Sequence, residues 1–114
     1  MSKRTAERII KGSGNVFADL GFANPELERL KSGLVQQIAT VIERRGLTQV
    51  DAAEILGIDQ PKVSALLRGR FGGYSIDRLL RFLNALDQDI ELIIKDKPRS
   101  RREATMSVTA RAAA

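Results

Sequence analysis

The chain contains no cysteine and no histidine. Disulfides, thiolate nucleophiles, imidazole metal sites and any mechanism with a histidine base are therefore excluded. No metal and no cofactor is expected. Apolar residues never run on for the ~20 positions that a membrane-spanning helix needs. The basic start MSKRTAERIIKGSG lacks the long apolar segment of a secretory signal. A cytoplasmic protein that does not enter the membrane is the expectation. Paired carboxylates are missing wherever a pocket is implied, and no phosphate-cradling glycine loop leads into a helix that begins with Lys-Ser or Lys-Thr. An enzyme is therefore not expected. Internal repeats are also absent.

What is present is basic charge at the two ends. The 114 residues suffice for one compact domain with a modest core and carry a net charge of +5. Residues 1–11 hold four Lys or Arg against one Glu, a net +3. Residues 95–114 hold six against two acids, a net +4, which leaves the middle of the chain at −2. Basic ends on a near-neutral body suit arms that track nucleic acid, and equally suit solvated ends.

The most informative stretch is LTQVDAAEILGIDQPKVSALLRG, residues 47–69. Thr48 is an N-cap residue, with Asp51 three places on to answer it as a near capping box. Ala52, Ala53, Ile55 and Leu56 place small and apolar groups on one side of a first short helix. Gly57 supplies its left-handed stop, and Ile58 plugs the turn. Asp59 caps a second helix with Pro61 in its first turn, where the missing N–H costs nothing. Val63, Leu66 and Leu67 recur at helical spacing and are expected to face inward. Gln60, Ser64 and Arg68, four apart, share the opposite side. An amide, small groups and a terminal cation suit a helix that enters the major groove of duplex DNA. Thr48, Gln49, Lys62, Arg70 and Tyr74 complete the expected DNA-contacting set. Tyr74 has a second reading, as a cover for the core edge.

Around this motif the chain divides into three. Residues 1–14 read as a flexible basic arm, 15–95 as the helical domain, and 96–114 as a basic, disordered tail. Residues 15–22, NVFADLGF, form an apolar island with Val16, Phe17, Leu20 and Phe22 and two of the chain's four Phe. The island either folds back on the core or docks a partner. Asn24 caps a long helix with Pro25 at its first position, and Leu27, Leu30, Leu34, Ile38, Val41 and Ile42 recur with a 3.6 period. Ser75 caps a helix running through Leu86, with Ile76, Leu79, Leu80, Leu83 and Leu86 as its buried stripe. The period then changes to two, and Ile90, Leu92 and Ile94 fall on one face of a strand. A lone strand is not stable, so it needs a partner from the N-terminal segment, a second copy of the chain or another protein. The expectation is that these three residues pair with the same strand of a second subunit or lie beside it at a dimer interface. The fold class is mainly α: a repressor-like helix-turn-helix domain of four to five helices with one C-terminal β-strand.

The ordering Thr-Gln, three residues, Ala, three residues, Gly and a capped second helix resembles the helix-turn-helix of phage repressors and Cro-like regulators. Three further segments narrow the resemblance: GNVFADLGFANPE, the run QPKVSALLRGRF, and YSIDRLLRFLNALDQDIELIIK with its strand directly after the last helix. Together, from about residue 14 to residue 95, they look like the HigA-type antitoxins of bacterial toxin–antitoxin pairs. The unpaired strand and the few base pairs that one recognition helix reaches point to a homodimer on an operator palindrome, and the resemblance implies that antitoxin and complex repress their own operon. The resemblance also implies a RelE/ParE-like toxin as partner, for which Val16, Phe17, Leu20 and Phe22 are the candidate surface. The long basic tail after Lys95, and Asp87 and Asp89 before the strand, depart from the family pattern. The alternative is a stand-alone, prophage-type repressor. An adaptor that had lost DNA binding would carry acids where Gln60, Ser64 and Arg68 stand.

Overall fold

Four N-cap side chains set four helix starts. The computed structural model describes residues 24–111, which hold α1 (Pro25–Arg44), α2 (Gln49–Leu56), α3 (Gln60–Leu67) and α4 (Ile76–Ala85). The arm and the apolar island read from the sequence, with Val16, Phe17, Leu20 and Phe22, lie outside the described residues. Asn24 accepts from the Leu27 N–H at 3.1 Å, and Asp59 accepts from the Lys62 N–H at 3.0 Å. Ser75 accepts from the Arg78 N–H at 3.1 Å. Thr48 and Asp51 form a full reciprocal capping box, each side chain accepting from the other's backbone N–H at 3.0–3.1 Å. Each cap satisfies a donor that the first turn of a helix leaves without a partner.

The core is a single cluster drawn from all four helices. Leu34, Val35, Ile38, Val41 and Ile42 come from α1, Ala52 and Leu56 from α2, and Val63 and Leu66 from α3. Leu79, Phe82 and Leu83 of α4 and its C-cap Leu86 close it. The buried stripe of α1 is wider than its simple periodicity suggests and includes Val35, because α1 packs on both α4 and α3. Leu27 and Leu30, nearer its start, are only half-buried. Ala52 of α2 is fully buried in the core. Gly57 has another role: its φ of 72° is the left-handed helix stop, and a Cβ placed there would meet nothing within 4 Å.

The helix α4 ends on a non-glycine residue in the left-handed region, Asp87 at φ 63°. The Gln88 N–H bonds to the Leu83 carbonyl and the Asp87 N–H to that of Asn84, both at 3.0 Å. This is the Schellman arrangement, with aspartate where glycine is commoner. Arg45, just past α1, donates to the Leu86 carbonyl at 3.0 Å and lies 3.8 Å from the Asp87 carboxylate. It ties the ends of α1 and α4 together.

No β-strand forms among the described residues. Residues 89–97 follow the alternation expected of a strand, yet none of their backbone groups bonds to another described residue. A strand is defined by its ladder, and the described residues offer no second strand to complete one. Beyond it, residues 96–111 contain neither helix nor strand. The tail, expected to be disordered, makes two contacts with α1. The Met106 N–H donates to the Glu26 carboxylate at 2.9 Å. Val108, half-buried, sits over Gly33, where a Cβ would lie 2.9 Å from its methyl Cγ2. Glycine inside a helix costs about 0.5–1 kcal/mol relative to alanine; here its missing side chain is what lets Val108 approach.

Candidate nucleic-acid interface

Eight-residue helices are too short to persist alone, so α2 and α3 take their positions from the core. Val63 and Leu66 are both 0% exposed and fix the inner side of α3. Leu67, expected to be equally inward, is only half-buried. With that side anchored, Gln60, Ser64 and Arg68 are carried on the opposite side. Gln60, Lys62 and Arg68 are exposed and Ser64 half-exposed. The Arg68 guanidinium donates to the Ser64 hydroxyl at 2.8 Å, which lays it back along the helix surface. Arg70, just beyond, is exposed.

The remaining members of the expected set are less alike. Thr48 is exposed, but its hydroxyl already accepts the Asp51 N–H within the capping box. Gln49, the first residue of α2, is half-buried, next to Val50, which is 55% exposed. Tyr74 packs its ring edge-on against Phe82, with centroids 5.7 Å apart. The core-edge reading of its ring thus holds.

Arg78 is the residue that sequence reasoning passed over. Its guanidinium stacks over Tyr74 at 4.9 Å and Phe82 at 5.5 Å from the ring centroids. It also lines one open groove with Gln60, Lys62, Val50 and Glu54. Stacking on aromatic faces holds the cation in place without neutralising it. Among the described residues, Arg29, Arg45 and Arg81 are in ion pairs. Lys62, Arg68, Arg70 and Arg78 are not, so four full positive charges remain on and beside α3. Glu54 on α2 is an acid in the same groove. Among the described residues no cluster of three or more acidic side chains forms a metal site.

Residues 16–95, more than two-thirds of the chain, match the family described as "Helix-turn-helix domain". The chain belongs to that family. A solved structure named "Putative XRE Family Transcriptional Regulator" is similar to this helix-turn-helix protein at 48% identity, over 77% of this chain and 99% of that one, with a TM-score of 0.71. No protein of curated function matches it. No described helix is long and apolar enough to cross a membrane.

Proposed function

We propose that this helix-turn-helix protein is a sequence-specific transcriptional regulator that reads duplex DNA with α3. The observation that carries the reading is the outward face of α3: Gln60, Ser64 and Arg68 on a helix locked by buried Val63 and Leu66, beside cations without acidic partners. Gln60 supplies the bidentate amide that reads adenine edges. Lys62, Arg70 and the stacked Arg78 supply phosphate contacts, which position the helix without reading sequence. Arg68, bonded to Ser64, reaches either a phosphate or a guanine. Thr48, Gln49 and Tyr74 are the remaining proposed contacts. Arg78→Ala is expected to lower affinity for all duplexes alike. In a salt titration of binding, it should reduce the slope of log K against log salt by about 1. An unchanged slope removes Arg78 from the interface.

One recognition helix spans only a few base pairs, and a two-fold dimer on a palindrome is the common solution. Ile90, Leu92 and Ile94 are the proposed contact between subunits.

The finer reading is an autorepressing antitoxin. It rests on the resemblance of residues 14–95 to HigA-type antitoxins, and a stand-alone repressor would use the same DNA interface. A toxin gene adjoining this reading frame is what the antitoxin reading requires. The proposed toxin surface is Val16, Phe17, Leu20 and Phe22, since large aromatics are favoured anchors at interfaces. Phe17→Ser is expected to abolish growth rescue on co-expression with the adjacent toxin, while the thermal midpoint and operator binding stay as they were. A collapsed midpoint would place Phe17 in this protein's own core, and full rescue would exclude the island as the toxin surface.

A further inference from the structure

Three of the large apolar side chains most exposed to solvent are consecutive. Leu92, Ile93 and Ile94 are 83%, 73% and 95% exposed. They lie in the middle of residues 89–97, whose backbone N–H and C=O groups bond to no other described residue. An unpaired backbone bearing exposed apolar groups is a template for strand pairing. What pairs with it is written in its charges.

In an extended chain, alternate residues share a face. Ile90, Leu92 and Ile94 make one face, and Ile90 already packs partly against the helical core. The other face reads Asp89, Glu91, Ile93, Lys95, Lys97: two anions, one apolar residue, two cations. This order is antisymmetric about Ile93. We propose that residues 89–97 form an antiparallel ribbon with a second copy of this chain, with the two-fold axis at Ile93. The proposal rests on the dimer reading above and adds its register. With Ile93 opposite itself, Glu91 faces Lys95 and Asp89 faces Lys97. The symmetry makes each pair twice, so four opposite-charge pairs flank the axis. On the other face Leu92 meets Ile94, also twice.

Competing pairings lose these matches. A parallel, in-register pairing sets Asp89 on Asp89 and Lys97 on Lys97. Centring the axis on Leu92 leaves Glu91 against Ile93, and centring it on Ile94 sets Lys95 against Ile93. A shift by one residue puts the charged face of one strand beside the apolar face of the other. Only the axis at Ile93 pairs both acids with both lysines. Ile90 faces Asp96 in this register, at the ends of the ribbon. Because a two-stranded ribbon is marginal alone, its apolar face rests on the helical bodies, as Ile90 already does.

The absence of cysteine makes the test clean. Directly opposed residues in an antiparallel pair lie within disulfide reach. In the full chain under mild oxidation, Ile93→Cys is expected to form a disulfide-linked dimer. Glu91→Cys alone should not, but should cross-link when mixed with Lys95→Cys. By sedimentation, Glu91→Lys and Lys95→Glu singly should each raise the dimer dissociation constant by about tenfold or more, since each breaks two pairs. The double exchange should restore it. If the wild-type protein is a dimer but Glu91→Cys or Arg101→Cys cross-links as readily as Ile93→Cys, the register is overturned while the dimer stands. If the wild-type protein is a monomer at micromolar concentration, both the register and the dimer fall.

Discussion

Leu66→Ala is expected to destabilise the domain by about 2–5 kcal/mol, the cost of emptying a fully buried leucine site. Leu66 is 0% exposed and, with Val63, holds the inner side of an eight-residue helix. Domains of this size are stable by only about 5–15 kcal/mol, so the loss removes a large share of the total. The thermal midpoint should fall by roughly 10 °C or more. DNA binding should weaken with it, because the outward face of α3 is positioned by this anchor. Leu67→Ala is the matched control. Leu67 is half-buried, and its truncation should cost clearly less in urea denaturation. Equal losses at the two positions would mean that the inner side of α3 has been assigned wrongly.

Gln60→Ala is expected to weaken binding to the operator by about 1–3 kcal/mol, the discrimination supplied by one bidentate base contact. Gln60 is exposed, so stability should stay within about 0.5 kcal/mol of the parent. Affinity for random duplex should hardly change. Arg70→Ala should behave differently: a lost phosphate contact lowers affinity for every sequence and flattens the salt dependence. Gel shifts on operator and random duplexes at several salt concentrations separate the two patterns. Operator binding untouched by Gln60→Ala would take α3 out of the groove.

The helix starts were legible because capping is local chemistry. Asn24, Thr48, Asp59 and Ser75 each reach a backbone N–H three residues on, and nothing distant competes. The inward residues of α3 were legible for the same reason, except that Leu67 lies at the edge of the stripe. Three features left no clear trace in the sequence. Phe82 is buried because Tyr74 and Arg78 close over it. Arg78 reads as one more surface cation on α4 until the fold brings it to the groove of Gln60 and Lys62. Val108 falls in a stretch without periodicity, and its place over Gly33 is set by the path of the tail. The alternation of Ile90, Leu92 and Ile94 is real, but alternation specifies faces and does not supply a ladder.

The central claim is that α3 reads base sequence. It is tested most directly by the affinity ratio of the full chain for duplex from the region upstream of its own reading frame and for random duplex of equal length, measured at one physiological salt concentration. The account predicts a ratio of about 10³ or more in favour of the upstream duplex, as specific regulators show. A ratio near one, with both affinities falling alike as salt rises, would contradict it and leave only a basic surface that binds phosphate.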